Sequence, residues 1–337
     1  MRQQIMRRQM MTRSSPKLCA AVAALMWLAS GPVGAESYPS RPITMIVPFS
    51  AGGPTDMVAR IVGDHMAKTL GGPIVIQNVV GAGGTTGTTH VMRAAPDGYT
   101  IEMGHMGTHA AAVALYPNLA YDPATDFEPI GQSAGTPILI LARRDFPARD
   151  LREFVTYLKA HPNNLNMAHA GVGSVSFTAC RLLNSILGVK PTSVPYNGTA
   201  PAMNALVAGQ VDYMCDQIAN VVPQVADHTI KAYAIATSAR NSVLPDIPTT
   251  REGGLAEFEV SAWNALFAPK GVPKPILDRL TDALDKALSD PATRKRLLAL
   301  GSDIPDAPRR GQQALGRLVR SEIARWTPVL KAEARSQ

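Results

Sequence analysis

Three sets of residues in this chain have types and spacings that could do chemistry. His105 and His109, in GHMGTH, stand four residues apart, which places two imidazoles on one helix face, where they can share a metal ion. No carboxylate or cysteine sits at ligand spacing beside them, so the segment reads as cleft lining or helix-cap chemistry, and no metal is expected. Asp212 and Asp216 flank YMC on an expected strand. Their interval puts both on one face, and a cleft-facing carboxylate and a solvated strand end both fit. Cys180 would need a neighbouring base to act as a nucleophile, and its apolar helical context points to core packing. The chain contains no H-E-x-x-H pair, and no nucleophile with its base is recognisable.

The remaining candidates are backbone sites. PFSAGGPTD (48–56) follows the apolar run 43–49 directly, and GAGGTTGTTH (81–90) and AGVGSVS (170–176) repeat the design behind other strands. None has the Lys-Ser/Thr pair of a P-loop or the G-x-G-x-x-G spacing of a dinucleotide site, so no cofactor is expected. Pro54 and Thr55 suit the opening of a helix, and Ser174 and Ser176 suit an N-cap and first turn. The free N–H groups of helix N-termini bind anions without a cationic side chain. Several such ends facing one cleft would make a carboxylate receptor.

The elements that must position these loops are legible from periodicity. Short β-branched runs at 43–48, 74–78, 100–104, 138–142, 211–216 and 232–237 alternate with amphipathic segments at 56–70, 151–160, 176–187 and 200–208. This is the pattern of βαβ units around mostly parallel sheets flanked by helices, an α/β fold. In such sheets ligands bind outside the carboxyl ends of strands, where the glycine loops fall. The C-terminal stretch is helical, with apolar positions from Ile276 to Leu288 and a second helix from Gln312 to about Trp326.

Residues 1–17 carry Arg2, Arg7, Arg8, Arg13 and Lys17 and no acid, and Leu18 to Ala29 is an unbroken apolar run. The run is too short for a membrane span, and Val33 and Ala35 occupy the positions a signal peptidase reads, so residues 1–35 are expected to be a secretory signal cut after Ala35. Its loss takes five of the formal +7 charges and leaves about +2, too little for a nucleic-acid partner. A mature chain of 302 residues exceeds what one core usually organises, so two domains are expected. The only cysteines left are Cys180 and Cys215, and in an oxidising compartment one disulfide or two buried thiols are both compatible.

YPSRPITMIVPFSAGGPTD, then GAGG, APDGYT, YDPATDF, VPYNG, AGQVDYMCD and LPDIPTTREGGL, in this order, resemble the Bug family, the periplasmic substrate-binding proteins of tripartite tricarboxylate transporters. The resemblance runs from Tyr38 to the last helix. It implies a two-domain Venus-flytrap receptor in the periplasm, a monomer without catalytic activity or cofactor, that delivers a small carboxylate to membrane permease subunits. The boundaries expected from it are 36–135 plus 238–337 for domain 1 and 136–237 for domain 2. It assigns ligand binding to main-chain groups of two loops, here Phe49, Ser50, Ala51, Gly52, Gly53 and Asp56, and His169, Ala170, Gly171, Gly173, Ser174 and Ser176, with Asn197 and Asp216 beside them. Many relatives have Arg-Pro where Val79 and Val80 stand, lysine at Asn197 and serine at His169. Those differences remove positive charge, favouring a monocarboxylate, or a dicarboxylate with an apolar middle, over citrate. The competing reading is a secreted α/β hydrolase or transferase acting on a carboxylate.

Overall fold

In a computed structural model, residues 38–334 are described; the expected secretory signal, residues 1–35, lies outside them. Strand β1 (Ile43–Val47) pairs in parallel with β2 (Ile74–Asn78) and β3 (Thr100–His105). Between them run α1 (Pro54–Leu70) and α2 (Thr85–Met92), the βαβ crossovers expected from the sequence. Behind β3 a π-helical turn (Gly107–Ala111) leads into the short α3 (Ala112–Leu115).

The chain then enters β4 (Phe127–Arg143), a strand of 17 residues. Residues Phe127 to Pro137 pair antiparallel with β9 (Ser261–Pro269), which itself pairs antiparallel with β3. From Ile138 onward β4 has different neighbours, β7 (Tyr213–Gln217) and β8 (Ile230–Ile235), again antiparallel. Parallel pairing resumes from β7 to β5 (Asn166–His169) and from β5 to β6 (Thr192–Pro195). One sheet thus reads β2-β1-β3-β9-β4, and β4 continues into a second with β8, β7, β5 and β6.

The parallel cores β2-β1-β3 and β6-β5-β7 match the alternation in the sequence. The expectation of mostly parallel sheets needs one correction, because antiparallel pairings through β4 and β9 equal the parallel ones in number. The first half of β4, FEPIGQSAGT, has neither alternation nor β-branched enrichment. Its extended form comes from lying along β9, with register shifts near Pro129 and Gln132 that absorb the irregular residues.

Helices α4 (Leu151–Ala160), α5 (Val175–Leu187), α6 (Thr199–Val207) and α7 (Ile218–Ala226) cover the second sheet, and α8 (Lys274–Ser289), α9 (Pro291–Ala299) and α10 (Gln312–Ala334) return to the first. Apolar residues of α8 (Leu277, Leu280, Leu284, Leu288) are buried, and α8 packs against α1 and β4. Cys180 on α5 and Cys215 on β7, both fully buried, form a disulfide with Cα atoms 5.3 Å apart. The alternative of two free thiols is thereby settled. Among the described residues, no helix is long and apolar enough to cross a membrane.

Candidate ligand site

Loop 48–53 is shaped by one buried carboxylate. Asp56, 2% exposed, accepts from Gly52 N (2.9 Å), from Asn78 Nδ2 (3.0 Å) and from both Arg60 Nε and Nη2. Asn78 Nδ2 also donates to Phe49 O at 2.9 Å. Burial pushes the Asp56 carboxyl up, but Arg60, the Gly52 amide and Asn78 together hold it below its ordinary value, so it stays anionic. Its charge is used within its own loop. Gly53, extended at φ −77°, leads into α1 with Pro54 at its first turn. Proline has no N–H, so the amides of Thr55 and Asp56 are the free donors of that end.

Loop 169–176 holds itself in the same way. His169 Nδ1 accepts from Gly171 N (3.1 Å) and its Nε2 lies 2.6 Å from Ser193 Oγ. Burial pushes this imidazole down to about 4. Ser174 Oγ donates to Gly171 O (2.7 Å) and accepts from Phe177 N, capping α5, while Ser176 Oγ accepts from Ala170 N. The serine hydroxyls thus order the loop, and the amides of Val175 and Ser176 are left at the helix end.

The two loops meet. A small cavity with room for about one water is lined by Phe49, Gly53, Pro54, Thr55 and His105 from the first sheet's side. From the second come Ala170, Ser174, Val175, Ser176, Thr199 and Gln217. The N-termini of α1, α5 and α6 therefore converge on one point, and no lysine or arginine lines it. Beside it lies a wider cavity of about 430 Å³, walled by Pro48, Phe49, the 81–84 glycine loop, Tyr116, residues 170–172, Pro195, Tyr196 and Asn197.

Glycines make this approach possible. A Cβ on Gly83 would lie 1.7 Å from Val172 O, one on Gly107 2.4 Å from Gly173 O, and one on Gly198 2.0 Å from Ser50 Oγ. The Tyr116 hydroxyl stands within hydrogen-bond distance of Ala82 O (2.7 Å) and of Val172 O, linking the two loops.

Of the residues expected at the site, Phe49, Gly53, Ala170, Gly171, Ser174, Ser176 and Asn197 line one cavity or both. Ser50, Ala51, Gly52, Asp56, His169, Gly173 and Asp216 line neither. Ser50 and Gly173 instead form the contacts at Gly198 and Gly107. Asp216 is wholly buried and turned toward α7, where it accepts from Gln217 N (2.8 Å) and Asn220 Nδ2 (2.5 Å). Burial pushes it up to about 7. Asp212 sits at the far end of β7, paired with Arg143 and accepting from Asn166 N. Thr55, Thr199 and Gln217 also line the small cavity and were not expected there. Gln217 directly follows Asp216, and Thr199 follows the VPYNG motif, so the neighbouring residues were the available signal.

The two histidines do different things. His105 Nδ1 accepts from Gly107 N (2.9 Å) and Thr108 N (3.3 Å), and its ring stacks on Phe49 at 4.6 Å. It is the cleft-lining member. His109 is fully buried behind it, stacked on Phe267 at 3.7 Å, with Nε2 4.0 Å from Glu102 Oε2. Burial pushes Glu102 up to about 8 and His109 well below its ordinary value, so near neutral pH this is an uncharged pair and not an ion pair. Among the described residues, no three His, Cys, Asp or Glu side chains come together as a metal site.

The sequence profile described as TctC, tripartite tricarboxylate transporter family receptor, matches residues 58–334. The chain is 42% identical over 306 residues to the UPF0065 protein in the TAR-I ttuE-ttuC′ intergenic region of Agrobacterium vitis, covering 91% of this chain and 87% of that one. MatC from Rhodopseudomonas palustris, solved with bound malate, superposes with a TM-score of 0.85 at 53% identity, covering 87% of this chain and 100% of that one. The periplasmic binding protein BugD superposes with a TM-score of 0.84 at 43% identity, covering 88% and 98%. The fold is the two-domain periplasmic-binding-protein fold. With the matched profile spanning most of the chain and relatives similar over nearly their whole length, this protein belongs to the receptors of the tripartite tricarboxylate transporter family, which bind solutes and are not enzymes.

Proposed function

We propose that this protein captures a small mono- or dicarboxylate between its two sheets in the periplasm and presents it, as a monomer, to the permease subunits of a tripartite transporter. The observation that carries this reading is the convergence of three helix N-termini on one cavity without a cationic side chain. Free amides at helix ends suit a carboxylate, and each bond to a charged group contributes about 1.5 to 3 kcal/mol. Malate, the ligand of MatC, is the first candidate.

The ligand contacts in this reading are the backbone of Phe49–Gly53 and of Ala170–Ser176, with Asn197 at the rim. Asp56 and His169 hold those loops in shape, and Asp216 supports the end of β7. Domain 1 comprises 36–135 and 238–337, and domain 2 comprises 136–237. The change of β4 partners between Pro137 and Ile138 supports that division. Export proceeds through the N-terminal signal peptide, which is cleaved after Ala35. The deciding experiment is calorimetric titration with a carboxylate panel, followed by recovery of the ligand. Saturable binding with the ligand returned unchanged supports the receptor, whereas turnover or the absence of any binding carboxylate refutes it.

A further inference from the structure

Among the buried side-chain atoms that no described residue bonds, two face each other behind the ligand site, Glu102 Oε2 and His109 Nε2. Their separation of 4.0 Å is too long for a hydrogen bond, and buried polar groups are rarely left unbonded. Each side chain is anchored on its other side. Glu102 Oε1 accepts from Thr88 Oγ1 at 2.7 Å, and the same hydroxyl lies 3.2 Å from Gly84 O. The Thr108 hydroxyl donates to His105 O at 3.2 Å and lies 3.0 Å from His109 Nδ1, so the proton of the neutral imidazole is assigned to Nδ1 and Nε2 presents a lone pair. A carboxyl proton on Glu102 Oε2 then has an acceptor opposite it.

The 81–84 loop walls the wider cavity and His105 lines the small one. The pair packs tightly beneath both: a Cβ on Gly84 would lie 2.7 Å from Thr108 Cγ2, and one on Gly104 2.5 Å from the His109 ring. Other titratable groups around it are few. β1 and β9, the strands beside β3, carry none, and His90 on α2 is exposed. His105 and Tyr121 are close enough to act on the pair electrostatically. On α1, Asp56 is bound by Arg60, while Asp64, His65 and Lys68 belong to its far half. Glu128 on β4 pairs with Lys270, and Arg181 on α5 lies over Phe177. On α10, Glu322 accepts from the indole nitrogens of Trp263 and Trp326, and Arg317, Arg320 and Arg325 are exposed.

We propose that Glu102 and His109 form a buried proton site that positions the ligand-facing backbone, holding the arrangement described here only while Glu102 keeps its proton. Once that proton leaves to solvent, the carboxylate draws the Thr88 hydroxyl away from Gly84 O and needs a second donor. His109 supplies it when its own proton moves from Nδ1 to Nε2. Nδ1 then takes the Thr108 hydroxyl, which releases His105 O. One proton lost thus loosens both walls of the site, with His109 neutral throughout. The effect on ligand rests on the receptor reading above, whereas the proton site itself does not. Burial pushes Glu102 up to about 8 and both histidines down, so affinity is full near neutral pH and declines as pH rises through that value.

The test uses the mature chain with malate, whose carboxylates are fully ionised throughout the alkaline range. Calorimetric titration of wild type should show affinity falling about tenfold between about pH 7 and pH 9, the loss for a group that must stay protonated and titrates near 8. Glu102→Gln, with a permanently neutral amide, should stay within about twofold over that range. In ligand-free wild type, nitrogen NMR should show the His109 ring nitrogens exchanging roles over the same range, with the Gly84 and His105 amide resonances following. None of these should move in Glu102→Gln. Thermal unfolding checks that this variant is folded. If it is not, Thr88→Val, which keeps the shape and removes the hydroxyl, should retain the His109 change and lose the response at Gly84.

His109 nitrogens that keep their roles across the range, the same pH response in Glu102→Gln, or a wild-type malate affinity flat with pH would overturn the inference and leave a carboxylate receptor in place. If malate does not bind, the first candidate of the receptor reading falls, and the ligand-free spectra decide the proton site. Linked changes at His109, Gly84 and His105 then support it, and their absence refutes it.

Discussion

Replacing Gly83 by alanine tests whether the contact between the two loops belongs to the ligand-bound state. The added Cβ would lie 1.7 Å from Val172 O, and real Cβ atoms do not approach closer than 3.0 Å, so the carbonyl must retreat by about 1.3 Å or more. Such a shift pulls Val172 O away from the Tyr116 hydroxyl and opens the wall of the cavity. One lost hydrogen bond contributes about 1 to 1.5 kcal/mol, and the residual overlap and loosened wall add a similar amount. The sum, about 2 to 3 kcal/mol, corresponds to roughly 30- to 150-fold weaker binding. Gly83 also has φ +61°, so alanine there pays about 1 to 2 kcal/mol of backbone strain with or without ligand. Gly188→Ala is the matched control, at φ +69° with nothing within 4 Å of the new methyl. It should lose stability and keep its affinity. Calorimetry gives the affinities, and small-angle scattering should show compaction on ligand addition in wild type and less of it in Gly83→Ala. Wild-type affinity in a folded Gly83→Ala protein would refute the argument.

Asp56→Ala removes the acceptor of Gly52 N and Asn78 Nδ2. Because Arg60 is half exposed and resolvates easily, the expected loss is about 1 to 2 kcal/mol of loop order, read as roughly tenfold weaker binding and faster amide exchange at Gly52. Denatured, unreduced protein from the periplasm should show no free thiol, and reducing the Cys180–Cys215 bridge, which spans 35 residues, should lower unfolding stability by about 3 to 4 kcal/mol in denaturant titrations. Glu102 has its folded pKa raised by burial from 4.5 to about 8. Its contribution is therefore complete below the ordinary glutamate value and is lost as pH rises toward about 8. Glu102→Gln should lack that decline, and thermal unfolding that falls in parallel for both proteins would show that the carboxyl is not protonated in the fold.

Legibility from the sequence followed locality. β1, β2, β3 and β7 announce themselves as short β-branched runs, and Gly53-Pro54 and Ser174 mark helix starts with their own side-chain and backbone chemistry. β9 and the first half of β4 carry no such signal, since their pairing is long-range and tolerates Pro129 and the glycines between Gly131 and Gly135. The glycine loops were legible as turns that open helices. Their closeness to one another was not, because a glycine needed for a turn and one needed for contact across a cleft look alike until the opposing carbonyl is placed. Gln217 and Thr199 escaped for a related reason. Uncharged side chains gain function from the partner behind them, as Thr136 is for Gln217, and that partner stands 81 residues away.

The place of β9 in the first sheet governs the order in which the protein can be built. It lies between β3 and β4, yet it is the last strand to leave the ribosome. Until residues 261–269 arrive, β3 has a bare edge opposite β1, the first half of β4 has no strand neighbour, and the sheet cannot seal. The inserted segment from β5 to β8 has its local crossovers earlier and is free to settle first. A chain whose first sheet closes only with its final strand stays incompletely folded through most of its synthesis, the condition under which threading through a membrane pore is easiest.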